Sequence, residues 1–194
     1  MAAKYCMRYL PEHKITFIHN PKTAGTSISQ WLDDNFNTVE GRKHGSFKEV
    51  DEFFPDTIFR FGVVRNPWAR MVSWYKFVGN GNFEDWLTQR LMYGHNDIPS
   101  LGMTFKPQVS WSRQWYNLGT PQADWLGDAI NLTLRFETLE QDFKEVQRIL
   151  GCDKPLPFLN TTDLTDYRDY YTIELAEEVK NIFIKDVIRY GYKF

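Results

Sequence analysis

The sequence predicts an α/β fold: a single domain over residues 1–194, with a mainly parallel central sheet and helices on both faces. Three observations lead there. Short apolar runs at residues 15–19, 58–64 and 131–136 read as buried strands. Between them lie segments whose apolar residues recur at helical spacing, and that alternation fits parallel strands joined by crossover helices. The length suffices for one full core, and 42% hydrophobic with 25% charged residues is ordinary for a globular chain.

The elements follow in order. Residues 15–19 carry β-branched apolar side chains, and Asn20-Pro21 breaks the strand. Thr26 or Ser27 is expected to cap a helix running through Ile28, Trp31 and Leu32. Ser46-Phe47-Lys48-Glu49 has the capping-box pattern and opens a short helix that stops before Pro55. Residues 58–64 form the second strand. The helix after Pro67 puts Trp68, Met71, Val72 and Tyr75 on one face. Gly79-Asn80-Gly81 is a turn, and Asn82 caps a helix holding Phe83, Trp86, Leu87 and Leu91.

Residues 93–107 read as a long irregular loop, a length often tied to function, and residues 107–118 as helical. Residues 131–136 give another strand. Thr138-Leu139-Glu140-Gln141 is a second capping box, opening a helix that ends at Gly151. Residues 155–170 read as loop. One last helix spans residues 172–190, with Leu175, Val179, Ile182, Phe183, Val187 and Tyr190 as its apolar face.

A net charge of −2 gives no global attraction to nucleic acid or acidic membranes, so any anion site must be local. Cys6 and Cys152 are too few for a disulfide framework or structural zinc, and both read as free thiols. The first fifteen residues hold no signal-like apolar region, and no apolar run nears the roughly 20 residues of a membrane span. The expectation is a cytoplasmic protein with no membrane and no nucleic-acid partner.

Two stretches carry chemistry. One is Phe17-Ile18-His19-Asn20-Pro21-Lys22-Thr23-Ala24-Gly25-Thr26-Ser27; the other is Phe61-Gly62-Val63-Val64-Arg65-Asn66-Pro67-Trp68-Ala69-Arg70-Met71-Val72-Ser73-Trp74-Tyr75. Each reads as a strand, a tight turn and a helix start, with cationic and hydroxyl side chains at the turn. Helix N-termini hold anions, and ligands in such sheets bind at the carboxyl ends of strands. Two such units imply a ligand with two separated anionic groups.

In the first stretch Gly25 lets the backbone approach a ligand, and amides from Thr23 to Ser27 can converge as a nest. Lys22 adds a mobile charge; Thr26 and Ser27 add hydroxyls. The competing reading is a Ser/Thr-capped helix with an exposed lysine. A nucleoside-triphosphate P-loop ends in Gly-Lys-Ser/Thr, whereas here Lys22 precedes Gly25, which disfavours a kinase. In the second stretch Arg65 ends a strand and Ser73 follows two helical turns later, so a guanidinium fork and a hydroxyl can grip a phosphate. Arg70 reads as an exposed helix residue in an ion pair.

Together the stretches resemble the PAPS-dependent sulfotransferase family, in its carbohydrate branch that includes heparan-type 2-O enzymes. Residues 20–27 are similar to the loop that grips the 5′-phosphosulfate. The resemblance implies Lys22 at the phosphosulfate and Thr23, Ala24, Gly25, Thr26 and Ser27 at the 5′-phosphate. Residues 64–75 are similar to the 3′-phosphate motif, with Arg65 and Ser73 at the family spacing. Arg135-Phe136-Glu137-Thr138-Leu139 and the closing Ile188-Arg189-Tyr190-Gly191-Tyr192-Lys193-Phe194 also resemble family segments. The likeness covers most of the chain from residue 15 onward. Residues 77–127 offer little to match, and acceptor recognition is expected there. The resemblance implies a P-loop-kinase-like sulfotransferase fold, PAPS as sulfonate donor, PAP as product, and a hydroxyl acceptor on a carbohydrate.

Transfer to a hydroxyl needs a base, and a histidine of near-neutral pKa suits that role. His44, in Lys43-His44-Gly45-Ser46, resembles the family segment that supplies it, which implies His44 as catalytic base beside Lys22. His19, at a strand end beside the first loop, and the carboxylates Glu40 and Glu49 stay open as alternatives. No histidine pair at helical ligand spacing and no cysteine cluster occurs, so no metal is expected. Trp111, Trp115 and Trp125 offer either core packing or sugar stacking, and Arg113 and Arg168 read as solvated surface. Two rival functions remain: a nucleotide kinase, separable by magnesium and ATP dependence, and a non-catalytic module for nucleotides or sulfated glycans, which would bind PAP without turnover.

Overall fold

Strand β2 (Ile15–Ile18) is buried on every residue, so both of its faces are covered. It pairs in parallel with β4 (Phe59–Val64), Phe17 opposite Phe61, and β4 pairs in parallel with β5 (Leu132–Arg135), Val63 opposite Leu134. The other half of the sheet is paired antiparallel. Strand β1 (Cys6–Leu10) is antiparallel to β2, and β3 (Val39–Lys43) is antiparallel to β1, so β1 alone runs against the remaining strands. The strand order is β3-β1-β2-β4-β5. This is a computed structural model, which describes residues 6–43, 45–91, 119–157, 159 and 166–194.

The sheet is therefore mixed, where the sequence predicts a mainly parallel one. The reason is the turn between β1 and β2. Four residues, Pro11 to Lys14, fold back with His13 N–H donating to the Leu10 carbonyl (3.2 Å), far too short a link for a parallel crossover. Strand β1 escapes an apolar-pattern reading because its middle residue is Arg8, which is only 1% exposed. Arg8 is held bidentately by Asp33 (2.7 and 2.9 Å) and pairs with Glu40 on β3 (3.3 Å). Strand β3, Val-Glu-Gly-Arg-Lys, is a polar edge strand.

Helices cover both faces of this sheet. On one, α1 (Gly25–Asn35) and α6 (Leu139–Leu150) pack Ile28, Trp31, Phe143 and Val146 onto Leu10, Ile15, Phe17, Phe61, Val63 and Leu134. Trp31 meets Phe143 edge-on at 4.9 Å and donates its indole N–H to the Lys154 carbonyl (2.8 Å). On the other, Tyr9 stacks on Phe54 at 4.7 Å beside α2 (Phe47–Phe53). Leu126 of α5 (Gln122–Leu126) fills the space over Gly62, where a Cβ would sit 2.5 Å from the leucine methyl. Trp125 is buried in the same layer.

Local signals hold where they are local. Glu49 accepts from the Ser46 N–H (2.8 Å), and the capping box is complete. The box at Thr138 does not form. Asp142, one residue beyond the predicted partner, accepts from Arg135 N–H (2.8 Å) and from the Thr138 hydroxyl (3.0 Å). Gly151 closes α6 in the left-handed conformation (φ 65°).

The described chain falls into two compact units, one of Met1–Asn66 with Gln122–Asp163 and one of Pro67–Pro121 with Leu164–Phe194. The sheet belongs to the first. The second holds α3 (Pro67–Val78), α4 (Phe83–Leu91), a 3-10 turn (Tyr167–Tyr170), α7 (Ile173–Ile182) and α8 (Ile184–Tyr190). The predicted final helix is two helices, broken at Phe183, which is fully buried at the junction. Thr172 caps α7 (Leu175 N–H to the hydroxyl, 3.2 Å) and Asn82 caps α4 (Glu84 N–H, 2.8 Å). Trp68 donates to the Ala176 carbonyl and accepts the Tyr171 hydroxyl on its own carbonyl (2.8 and 3.0 Å).

Arg70 is fully buried, against the expectation of an exposed ion pair, and its guanidinium reaches the Thr120 carbonyl at 3.4 Å. Arg168 is half-exposed beside Asp166, as read. The predicted loop at 93–107, the helix at 107–118, Trp111, Arg113, Trp115 and His44 lie outside the described residues. Among the described residues no helix is long and apolar enough to cross a membrane.

Candidate active site

After β2 the chain makes two left-handed residues close together, Lys22 (φ 68°) and Ala24 (φ 64°). Neither is glycine, and each such conformation costs about 1–2 kcal/mol. Unfavourable backbone of this kind concentrates at functional loops. The turn is braced from inside: the buried Thr23 hydroxyl donates to the Asn20 carbonyl (2.8 Å), and the Asn20 side chain donates to the Val63 carbonyl (2.9 Å) at the end of β4.

Helix α1 begins at Gly25 with Ala24 as its N-cap. Alanine has no oxygen with which to cap, so the first-turn amides of Gly25, Thr26 and Ser27 face outward along the helix axis as donors, and no acidic residue lies in that turn. The predicted cap at Thr26 or Ser27 is thus displaced; both lie inside the helix. Ser27 is buried and its hydroxyl accepts from Leu159 N–H (3.1 Å). Gly25 is required by space. A Cβ there would lie 2.2 Å from His19 Nε2, because the imidazole packs directly beneath the helix start. His19 is 3% exposed and rests on Phe17 (5.9 Å between rings).

Arg65 follows β4, the parallel neighbour of β2, so the two loops leave the same end of adjacent strands. Its guanidinium sits 4.0 Å over the Phe136 ring and donates to the Lys22 carbonyl (3.3 Å). Its backbone is held at both polar groups by Gln122, which accepts the Arg65 N–H (2.9 Å) and donates to the Arg65 carbonyl (2.7 Å). The next amide, Asn66, donates to Glu137 (2.6 Å). Phe136 and Glu137 thus both brace the arginine loop.

Lys22 and Arg65 are like charges held together. Burial, and then the Arg65 guanidinium, push the Lys22 ammonium down from 10.5 to about 8. An anion beside Lys22 would offset this repulsion and favour the charged ammonium.

The structure brings together Lys22, Thr23, Ala24, Gly25, Thr26, Ser27 and Arg65 in the first unit. Ser73 lies on α3 of the second unit, 6% exposed. His44 lies outside the described residues, between β3 and the Ser46-capped α2 in sequence. The alternative carboxylates are engaged elsewhere: Glu40 with Arg8, Glu49 in the capping box. Gln122 and the side chain of Asn20 carry no sequence signal, since their partners lie 57 and 43 residues away. Among the described residues no group of three His, Cys, Asp or Glu is placed to hold a metal.

A family model described as the sulfotransferase family matches residues 6–122 of the chain. Human carbohydrate sulfotransferase 10 is 28% identical over 144 residues, covering 59% of this chain and 38% of that protein. The chicken protein of the same name is 22% identical over 241 residues, covering 94% of this chain and 65% of that protein. The chain thus spans 38% of the length of the human relative and 65% of the chicken one. No solved structure matches. With the anion-ready loops at the ends of β2 and β4 both inside the matched region, the chain belongs to the sulfotransferase family.

Proposed function

We propose that this protein transfers a sulfonate from PAPS to a hydroxyl of a carbohydrate, releasing PAP. The observation that carries the reading is the pair of cationic loops at the ends of adjacent parallel strands, with Lys22 and Arg65 close enough to lower the lysine pKa. The relatives are named carbohydrate sulfotransferases, which supports the acceptor class. PAPS, when bound, supplies the sulfonate.

In this reading the amides of residues 23–27 hold the 5′-phosphate, and Lys22 neutralises charge growing on the oxygen left behind. Arg65, with Ser73, holds the 3′-phosphate. His44 takes the proton from the acceptor hydroxyl, and His19 is the second candidate for that role. His19 is packed beneath Gly25, so it supports the loop whichever residue is the base.

Calorimetry with PAP, with ATP as control, tests the reading. PAP is expected to bind without magnesium and ATP weakly. Arg65→Ala should then lose roughly 2–5 kcal/mol of PAP binding, as for a charge-assisted contact. Lys22→Ala should reduce turnover more than PAP affinity, because PAP lacks the sulfonate. His44→Ala should bind PAP and lose about 10²–10⁴ in rate. Magnesium-dependent ATP binding in place of PAP binding would overturn the proposal. PAP binding with no turnover on any sugar would leave a binding module instead.

A further inference from the structure

We propose that Gln122 is a positioning residue that sets the distance and orientation of Arg65 relative to the Lys22 loop. This rests on the two-anion reading above and names the part that holds the two anion grips in register. Gln122 is fully buried, and so is Asn20. A buried amide side chain is retained only where its donors and acceptors are satisfied, and this one is satisfied by the site itself. Its oxygen accepts from Arg65 N–H (2.9 Å) and from Asn20 Nδ2 (3.0 Å); its nitrogen donates to the Arg65 carbonyl (2.7 Å). Asn20 in turn donates to the Val63 carbonyl (2.9 Å) and its own carbonyl accepts the Thr23 hydroxyl (2.8 Å).

The arrangement does what a neighbouring strand would do. β4 ends at Val64, yet the next residue has both backbone groups paired, by one side chain. The same side chain reaches the first loop through Asn20. One amide therefore touches both loops that β2 and β4 deliver, and it fixes Arg65 without occupying the ligand's place. A ligand that engages only one loop gains nothing from that alignment. A ligand with two phosphates gains whenever both grips are already at the right spacing.

The test compares two ligands on the full chain, PAP and adenosine 5′-monophosphate, by calorimetry. The second lacks the 3′-phosphate. In Gln122→Met the size of the side chain is kept and its hydrogen bonds are lost. The preference for PAP over the monophosphate should fall about tenfold, the effect of one charge-assisted contact held out of line. Monophosphate affinity should change less than about twofold, since Asn20 keeps its Val63 contact. A Gln122→Asn variant keeps the amide's donor and acceptor but draws them back by one methylene; it should show a smaller loss of the same PAP-selective kind. This second variant decides the matter if Gln122→Met does not fold.

Equal weakening of both ligands, or an unchanged preference in a folded variant, would overturn the positioning role. A wild-type protein that does not prefer PAP to the monophosphate would instead sink the two-anion reading itself, and this inference with it.

Discussion

Lys22 pairs a left-handed backbone with an ammonium that sits below its ordinary pKa, and both have measurable consequences. In the free protein the charged form is disfavoured by burial and by Arg65, so the folded value is about 8 against 10.5. Folded stability should therefore rise as pH climbs from about 8 toward 10.5, because only the unfolded chain still holds that proton. Anion binding has the opposite sign. A phosphate beside Lys22 favours the ammonium, so PAP binding above pH 8 should take up a proton. Affinity should then weaken by up to about tenfold per pH unit. Calorimetry in buffers of different ionisation enthalpy reads that proton directly. The same uptake in Lys22→Met would assign it to another group. Arg70 makes a second residue-scale point: it is fully buried in the second unit, so Arg70→Ala should lower stability by about 2–4 kcal/mol, read by chemical denaturation. A variant as stable as wild type would show that the buried guanidinium is dispensable.

At the scale of elements, legibility follows the range of the interaction. The Ser46–Glu49 box and the Asn82 cap are readable because donor and acceptor lie within three residues. Strands β2 and β4 were readable because their residues are apolar in a short run. Strand β1 was not, since Arg8 is neutralised by Asp33, 25 residues on. The Thr138 box does not form, and the Thr138 hydroxyl instead donates to Asp142, one residue past the expected partner. Nothing in the sequence marks Phe183 as a helix break; it is an apolar residue drawn into a core. Of the candidate site, the cationic loops were legible and their supports were not. Phe136 and Glu137 are legible only as part of a resembling segment, and Gln122 carries no local signal, its Arg65 partner lying 57 residues away. Helix α1 supplies the test of one such hidden contact. Gly25→Ala should cost about 1–3 kcal/mol, since its Cβ would strike the His19 ring. In a His19→Ala background the same change should cost close to nothing. Equal costs in the two backgrounds would remove His19 as the reason for the glycine.

At the scale of the whole molecule, the two halves of the sheet differ in how far apart their partners lie. The β1–β2 hairpin closes over four residues, while β2–β4 and β4–β5 join strands by long crossovers. Local pairs close early and distant ones late, so the hairpin should be protected from exchange first during refolding and the parallel pairs afterwards. Pulsed hydrogen exchange on the β1 and β5 amides would show it; simultaneous protection would argue against that order. Long crossovers also govern the anion loops, which stand on the late-pairing half.

During synthesis, Lys22 and Arg65 leave the ribosome well before the residues that hold Arg65 in place. Asn66 and its partner Glu137 are 71 residues apart. At about 5–20 residues per second, roughly 4–14 s pass between them. For most of that interval the nascent chain carries both cations without Gln122, and to its end without Phe136 or Glu137, to align them. On the proposed reading, a nucleotide should engage the chain only once the residues that hold Arg65 have been made. Ribosomes stalled with residue 120 outside the exit tunnel should not be retained on immobilised PAP, whereas the full chain on a linker should be. Retention of the shorter chain would mean that the two loops find their spacing unaided.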